Sequence, residues 1–372
     1  MDLSHIPIID HHAHPLHRPE TTGAREAFLS WFTESTDPVI HREHVLHTLF
    51  LRTAVRWLAP LLDCEPTLES VLAARAQQEP TAWTRRLFSD ANIAQVLCDY
   101  GYGGPMAYTP AEMTALLPCP VRPILRLETL AQDLILQHES FTQVVEAYVN
   151  SVSHAREAGY VALKSIVAYR TGLAIAPVAT NEAAEAFTAV KEAAGRHGQV
   201  RLDDPVLTPF FIWLALEQNV NQQLPLQFHT GFGDKDADLR RANPLLLRTA
   251  IEQWSVPIVL LHAGWPFYRE AAHLASLYSH VWLDLSLAIP FATTGIPAML
   301  RQVLGMAPWS KILFATDAFT MPEIYWLAAK WGRWGLGQVL REMITADFIT
   351  TQEAPQAAEM ILNGTARQLY SV

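Results

Sequence analysis

Four apolar runs along this sequence each end in a histidine or an aspartate. The first, residues 6–9, leads through Asp10 and His11 into His12 and His14. Three later runs have the same form, and they are residues 224–228 before His229, residues 258–261 before His262, and residues 312–316 before Asp317. Short apolar runs bounded by turn residues are typical of buried parallel strands. Four strands with metal-ligand residue types at their carboxyl ends predict a (β/α)8 TIM barrel, in which that end carries the chemistry.

His12 and His14 are the most specific pair in this pattern. Alternate residues of a strand share a face, so both imidazoles can bind one metal ion. Two histidines at this spacing also occur by chance, and a neutral histidine often lies in a core with its hydrogen bonds satisfied. The repetition of the pattern at His229, His262 and Asp317 is what favours a metal site.

The other strands fall between these runs. Strands two, three, four and seven are predicted at residues 93–99, 121–128, 160–164 and 281–285. Helical patterns at residues 182–196, at residues 206–218 and beyond strand eight complete an alternation of strands and helices. The pattern predicts one barrel domain over residues 1–372, with Gly332, Gly335 and Gly337 marking a turn near the end of one helix.

A segment of about residues 15–90 is too long for an ordinary connection between a strand and its helix. Its apolar residues recur at helical spacing, and the prolines predicted to divide it into short helices are Pro38, Pro60, Pro66 and Pro80. The sequence therefore predicts a helical insertion after strand one. We expect it to form a lid over the site, and the alternative is a stabilising appendage without a catalytic role.

Composition narrows the class of protein. The chain has 372 residues, of which 50% are hydrophobic and 17% charged, with a net charge of -10, and this argues against nucleic-acid binding. The three cysteines, Cys64, Cys98 and Cys119, have neither paired nor metal-binding spacing and predict reduced thiols of a cytoplasmic protein. No segment reaches the roughly 18 uninterrupted apolar residues of a membrane span, so a soluble protein is expected. The 11 Trp and 15 Phe are expected to pack helices on the barrel, or alternatively to form a homodimer interface.

The order of these residues resembles the amidohydrolase superfamily of TIM-barrel metal-dependent hydrolases. Residues 361–370 are similar to the closing helix of its amidohydrolase-related branch. Residues 163–173 resemble a segment in the amidohydrolase-like half of fungal proteins fused to a glutamine-synthetase-like domain. The resemblance covers nearly the whole chain and implies a divalent metal cofactor.

Imidazole and carboxylate ligands without thiolate suit zinc or another borderline divalent ion. Many members of the superfamily carry a carboxylated lysine in strand four, and Lys164 is its counterpart. Under that interpretation two ions share the carboxylated side chain, one held by His12, His14, Lys164 and Asp317 and the other by Lys164, His229 and His262. The alternative is a single ion held by His12, His14, His229 and Asp317, with His262 free to polarise the substrate and Lys164 free to pair with an anionic group.

Catalytic roles are predicted for Asp317 and His262. A bound metal lowers the pKa of water, and Asp317 is the candidate general base that takes its proton and passes it to the leaving group. Asp317 could equally be a ligand alone, and the resemblance favours the dual role.

Substrate binding is predicted for a second group of residues at the barrel mouth, namely Arg126, Tyr169, Arg170 and Trp265. Arg170 suits a bidentate contact with a substrate carboxylate, and its alternative is an ordinary loop salt bridge. Arg126 and Glu128 are expected on one face, where they orient substrate or pair with each other. Trp265 either forms a wall of the pocket or packs elsewhere, and Asp284 is expected to support the site.

The leading functional hypothesis is hydrolysis of a C–N bond, an amide or a cyclic amide, in a small molecule that carries a carboxylate. The alternative is a metal-dependent, non-oxidative decarboxylase of an aromatic or unsaturated acid. A barrel that binds metal without catalysis is a third hypothesis, and the competent residue at every expected ligand position argues against it.

Overall fold

A computed structural model describes residues 1–19 and 24–372 and contains an eight-stranded parallel sheet whose strands follow chain order. The strands are β1 Ile8–Ala13, β2 Ile93–Asp99, β3 Val121–Arg126, β4 Ala162–Ser165, β5 Leu226–Phe228, β6 Ile258–Leu260, β7 Val281–Asp284 and β8 Ile312–Leu313. Just beyond β8, the Asp317 N–H donates to the His12 carbonyl at 3.0 Å, and the His14 N–H donates to the Ala318 carbonyl at 2.8 Å. These bonds join the two edges, and the sheet forms the predicted (β/α)8 barrel.

Helices follow the strands around the barrel. The α-helices after β2 are α5 Pro110–Leu116, α6 Leu127–Gln137, α7 Phe141–Ser153, α8 Thr180–His197, α9 Leu207–Gln218, α10 Arg248–Gln253, α11 Tyr268–Leu277, α12 Ala288–Phe291, α13 Ile296–Leu304, α14 Pro322–Thr345, α15 Glu353–Glu359 and α16 Thr365–Tyr370. The patterns at residues 182–196 and 206–218 correspond to α8 and α9. Over the described ranges, no helix combines the length and the apolar character needed to cross a membrane.

The connection from β1 to β2 is helical. Its α-helices are α1 Arg25–Ser30, α2 Leu49–Leu62, α3 Leu68–Ala76 and α4 Pro80–Asp90, and a π turn at Ile40–His44 and a 3-10 turn at Val45–His47 lie between α1 and α2. Residues 20–23 of this connection lie outside the described residues. Pro80 is the first residue of α4, a position whose N–H has no hydrogen-bond partner within the helix, so the N–H that proline lacks is not needed there. The prediction that Pro60 divides two helices is wrong, because α2 continues through it and ends at Leu62.

The predicted and observed strand boundaries agree at β2 and differ at β3. The predicted third strand included Glu128, but β3 ends at Arg126 and α6 begins at Leu127. Glu128 therefore lies in the first turn of a helix, where its Oε1 accepts from Ser165 Oγ at 2.7 Å and from the Ile166 N–H at 2.9 Å. Its predicted place on one strand face with Arg126 is wrong, since the chain changes to helical geometry between the two residues.

The interior of the barrel is filled by a small apolar cluster. It takes residues from six strands, one residue just after β6 and two from the last helix: Ile9, Leu97, Ile124, Ala162, Val259, Leu313, then Leu261, then Ala366 and Tyr370. The larger core lies between the strands and the surrounding helices. Alternating strand residues face these two cores, and the carboxyl ends of the strands remain for polar groups.

The three glycines near the end of the chain lie inside α14, so the prediction of a turn there is wrong. A Cβ at Gly332 would overlap the ring of Phe314, and a Cβ at Gly335 would lie 2.5 Å from Ile296 Cγ2. Glycine at these positions lets a long helix approach β8 and α13 closely. The sequence alone did not indicate which neighbours require the small residue.

Gly332→Ala should destabilise the protein by about 1–3 kcal/mol, because the added methyl group overpacks the contact with Phe314. The control is Gly195→Ala in α8, where a Cβ meets nothing within 4 Å. That change should stabilise the protein by about 0.5–1 kcal/mol, since alanine has the higher helix propensity. Urea unfolding of both variants measures the difference, and two changes of the same sign would contradict the packing argument.

Candidate metal centre

His12, His14 and Asp317 come together where β1 meets the chain beyond β8. Asp317 Oδ1 lies 3.0 Å from His12 Nε2 and 3.2 Å from His14 Nε2. Within the described part of the chain, these three are the residues whose ligand atoms cluster closely enough to hold a metal ion. All three side chains are buried.

The hydrogen bonds of His14 show what the cluster requires. His14 Nδ1 lies 3.0 Å from the Asp99 carbonyl oxygen, which can only accept, so Nδ1 carries the proton. In neutral His14 the other nitrogen, Nε2, then presents a lone pair to Asp317 Oδ1 at 3.2 Å. Two acceptors at this distance repel each other unless a cation lies nearby. A histidine that donates one N–H to a carbonyl is also the usual form of a metal ligand, so the residues fit a divalent ion.

The protonation states agree with this donor set. Burial and then the charge of Lys164 lower the pKa of His12 to about 3. Burial lowers the pKa of His262 to about 4. Burial alone would raise the pKa of Asp317, but the nearby ring nitrogens, those of His262 first, hold it well below its ordinary value. At neutral pH His12 and His262 are therefore uncharged imidazoles and Asp317 is a carboxylate, which are ligand forms.

Lys164, His229 and His262 lie beside the cluster. Lys164 is buried with its Nζ 3.2 Å from His12 Nε2. His262 Nε2 lies 2.9 Å from His229 Nδ1, and His262 Nδ1 lies 2.9 Å from Ser286 Oγ and 3.7 Å from Asp317 Oδ2. The structure thus brings the six predicted ligand residues into one region, with the two histidines from β5 and β6 facing each other.

The backbone is strained at two of these six residues. His262 and Asp317 have φ angles of 67° and 51°, in the left-handed region that residues other than glycine rarely adopt. Such conformations persist only where surrounding contacts impose them, and they concentrate at functional sites. For His262 one such contact is visible, since its N–H donates to Asp284 Oδ1 at 2.6 Å.

Asp284 belongs to a buried network that reaches the last helix. Its Oδ2 lies 3.1 Å from His11 Nε2, and His11 Nδ1 lies 2.9 Å from the hydroxyl of Tyr370 in α16. The same hydroxyl accepts from Gln227 Nε2 at 2.9 Å. Asp284 thus supports the backbone at His262, in keeping with the supporting role expected for it.

A cavity of about 230 Å³ opens beside the cluster. Its charged and aromatic lining includes Arg126, Tyr169 and Arg170, as the sequence predicted, together with Glu34, Tyr102, Arg201, Asp234, Asp236 and Phe319, which it did not. Asp234 and Asp236 follow β5, so their position after a barrel strand was a signal that could have found them. Glu34 lies between α1 and the π turn, where no pattern in the sequence distinguishes it.

Trp265 does not line this cavity, and its predicted role as a pocket wall is wrong. The ring packs against Phe232 with the centroids 5.0 Å apart, and the residue is 37% exposed. His262 and Ala263 both have positive φ angles, so the chain turns sharply after β6 and carries Trp265 away.

Arg126 is held by Asp99 rather than by Glu128. Its Nε and Nη2 donate to Asp99 Oδ2 at 2.9 Å and 2.6 Å, and both side chains are buried. Burial alone would raise the pKa of Asp99, but the Arg126 guanidinium holds it below its ordinary value. Asp99 also accepts from His14 through its carbonyl, so this ion pair stabilises the segment that orients a candidate ligand.

Arg126→Met should destabilise the protein by about 3–5 kcal/mol, because it leaves a buried carboxylate without its counter-ion. A carboxylate whose pKa is lower in the folded than in the unfolded protein stabilises the fold at pH values above its pKa in the unfolded protein. This stabilisation is lost as the pH falls through its pKa in the folded protein. The difference in unfolding free energy between Arg126→Met and wild type should therefore be largest near neutral pH and shrink below a pH of about 4. Urea unfolding of metal-free protein between pH 3 and 8 measures it.

The control for this variant is Arg301→Met, which breaks an exposed ion pair with Glu342. Water screens such pairs, so no measurable change is expected. A pH-independent loss in Arg126→Met would contradict the assignment to Asp99.

Comparisons with known proteins agree with this geometry. A family model described as Amidohydrolase matches residues 130–372. Protein fluG of Emericella nidulans is 30% identical over 292 residues, which are 76% of this chain and 31% of fluG, so the chain spans about a third of that relative. The crystal structure of a proposed metal-dependent hydrolase from Lactobacillus casei has a TM-score of 0.88 and 30% identity, covering 100% of this chain and 97% of the other.

A uronate isomerase from Thermotoga maritima is similar at a TM-score of 0.69 and 15% identity, covering 99% of this chain and 95% of the isomerase. At this identity the likeness extends to the fold alone. The barrel is thus shared by proteins with different reactions, and the site residues have to decide the chemistry.

Proposed function

Because this chain belongs to the amidohydrolase family, we propose that it is a metal-dependent hydrolase that cleaves a C–N bond in a small molecule. The bond is an amide or a cyclic amide, and the substrate carries a carboxylate. The observation that carries this proposal is the convergence of one ligand atom each from His12, His14 and Asp317 within 4.8 Å of one another, with Nδ1 of His14 directed at a backbone carbonyl as in a metal ligand.

His12, His14 and Asp317 would hold the first ion, and zinc suits their nitrogen and oxygen atoms. A divalent ion bound there lowers the pKa of a water molecule and polarises a substrate carbonyl. The protein supplies the fixed positions of the ligands and the buried surroundings that strengthen their charges.

Lys164, His229 and His262 are assigned to a second ion. His229 Nε2 is buried and has no hydrogen-bond partner in the ranges described, so it is free to act as a ligand. Burial lowers the pKa of Lys164 to about 8, which favours the neutral amine that reacts with CO2. The carboxylated side chain would add an anionic group between the two sets of histidines.

Asp317 is proposed to move the proton during hydrolysis. As a buried carboxylate beside His12 and His14, it is placed to accept a proton from the attacking water. It can then transfer that proton to the departing amine, whose leaving requires protonation.

Arg170 is proposed to bind the substrate carboxylate. Arg126 and Arg201 also line the cavity, but both are already paired with aspartates. Among the described residues Arg170 has no ion pair, and its Nε is buried without a partner. A guanidinium fork without a protein counter-ion is suited to two parallel hydrogen bonds with a carboxylate.

Metal content tests the ligand assignment. Protein purified without chelator in the presence of bicarbonate should contain two equivalents of metal per chain by elemental mass spectrometry. His12→Ala should lower this content, and Lys164→Ala should lower it toward one or none, because each removes a ligand. His273→Ala is the matched control, since His273 is an exposed histidine on α11, and it should leave the metal content unchanged.

One equivalent in wild type, unaffected by Lys164→Ala, would contradict the second ion and leave Lys164 available to pair with a substrate anion. The assignment of the first ion to His12, His14 and Asp317 would still be supported if His12→Ala removed the remaining equivalent of metal.

Turnover tests the reaction. Metal-loaded protein should release amine from members of a set of carboxylate-bearing amides and cyclic amides. Asp317→Asn should reduce kcat by about 10²- to 10⁴-fold through loss of general base catalysis. Arg170→Met should mainly raise KM for these substrates, and His273→Ala should match wild type. Amine assays with parallel detection of CO2 distinguish the reactions, because CO2 release without amine would replace hydrolysis by decarboxylation.

A further inference from the structure

Two ionisable side chains line the cavity without a protein partner among the described residues. Arg170, described above, carries a guanidinium group. Glu34 carries a carboxyl group, and its Oε1 is buried without a hydrogen-bond donor. Glu34 makes no ion pair with any residue in the described ranges, whereas Arg201 is paired with Asp203 and Asp236.

The surroundings of Glu34 are unfavourable for a lone carboxylate. Asp317 and Asp234 are the acidic groups that face it, and Tyr102 and Tyr169 are the phenols nearby. Burial, followed by the two aspartates, raises the pKa of Glu34 to about 8. A buried charge is costly unless it is paired, so Glu34 favours its neutral form in the free protein and ionises when a cationic ligand group reaches it.

The metal cluster does not supply that partner from protein side chains. The atoms that converge for metal binding are those of His12, His14 and Asp317, and Glu34 is not one of this group. Lys164 also lines the cavity, but its Nζ contacts His12 Nε2 at 3.2 Å and is proposed as a metal ligand. Since no side-chain cation in the described residues pairs with Glu34, a ligand that enters the cavity can supply one.

Resting on the proposed hydrolase function, we propose that the substrate is an amino-acid derivative, whose protonated amine contacts Glu34 and whose carboxylate contacts Arg170. The ligand carboxylate then pairs with a guanidinium that has no counter-ion among the described residues, and the ligand ammonium allows the Glu34 carboxyl group to ionise. A substrate with the carboxylate alone would leave Glu34 unpaired and would bind more weakly.

Glu34 also gives the insertion after β1 a defined role. The segment that carries Glu34 is anchored on both sides, by the Trp31 ring, which packs edge to face with Phe319 at 5.3 Å, and by the contact of His41 Nε2 with the Ser35 carbonyl at 2.5 Å. The insertion thus becomes the part of the protein that selects substrates with an amine.

Binding of three five-carbon probes tests this inference without turnover. Valerate has only the carboxylate, L-norvaline adds an α-amine, and 5-aminovalerate places the amine at the far end. Calorimetric titration of metal-loaded wild type at pH 7 should show at least one amino acid binding about tenfold or more tightly than valerate, the effect of a charge-assisted hydrogen bond. The stronger of the two also shows where along the substrate the amine lies.

Glu34→Gln should abolish this preference and leave valerate binding unchanged, whereas Arg170→Met should weaken all three probes. Glu43→Gln, at an exposed position of the same insertion, is the matched control and should behave as wild type. Equal affinity for the three probes in wild type, or binding by none of them, overturns the inference. So does a preference that survives in Glu34→Gln, since the amine would then bind the metal.

The two proposals fail in different ways. Amine-dependent binding without cleavage of any amide refutes the hydrolase and retains the role of Glu34. Cleavage of amides with and without a free amine at equal kcat/KM retains the hydrolase and refutes the role of Glu34.

Discussion

Closure of the barrel between its first and last strands is the interaction on which the site depends. Backbone bonds join His12 to Asp317 and His14 to Ala318, and both Thr316 N–H and Thr316 Oγ1 donate to Asp10, at 2.9 Å and 2.6 Å. The same bonds that remove the sheet edges therefore fix the distance between two histidines and a carboxylate from opposite ends of the sequence. A candidate ligand set is a direct product of the topology, and no separate element is needed to assemble it.

Asp99 connects this closure to the rest of the barrel mouth. Its carboxylate pairs with Arg126 from the next strand, and its carbonyl determines which nitrogen of His14 carries the proton. One residue thus sets both the charge balance beneath the cavity and the orientation of a ligand. This double role could not be predicted from the sequence, because it depends on a backbone atom and on the register between β2 and β3.

What the sequence could predict was set by local pattern. The barrel and the strand ends at His12, His229, His262 and Asp317 were predictable because apolar runs and polar ends are local features. The errors at Glu128, Gly332 and Trp265 have a common cause, since each depends on a tertiary contact or a backbone turn that local pattern does not encode. Glu34 was missed for the same reason, as only the folded insertion brings it to the cavity.

The network from Tyr370 through His11 to Asp284 has a consequence for how the protein responds to heat. It connects the packing of the short last helix, α16, to the strained backbone at His262. Ala366 and Tyr370 of this helix also belong to the apolar cluster inside the barrel, so the helix and the strands share one set of buried contacts. The candidate metal centre is therefore expected to lose its shape together with the barrel core, and the last six helical residues become as important for heat resistance as the strands.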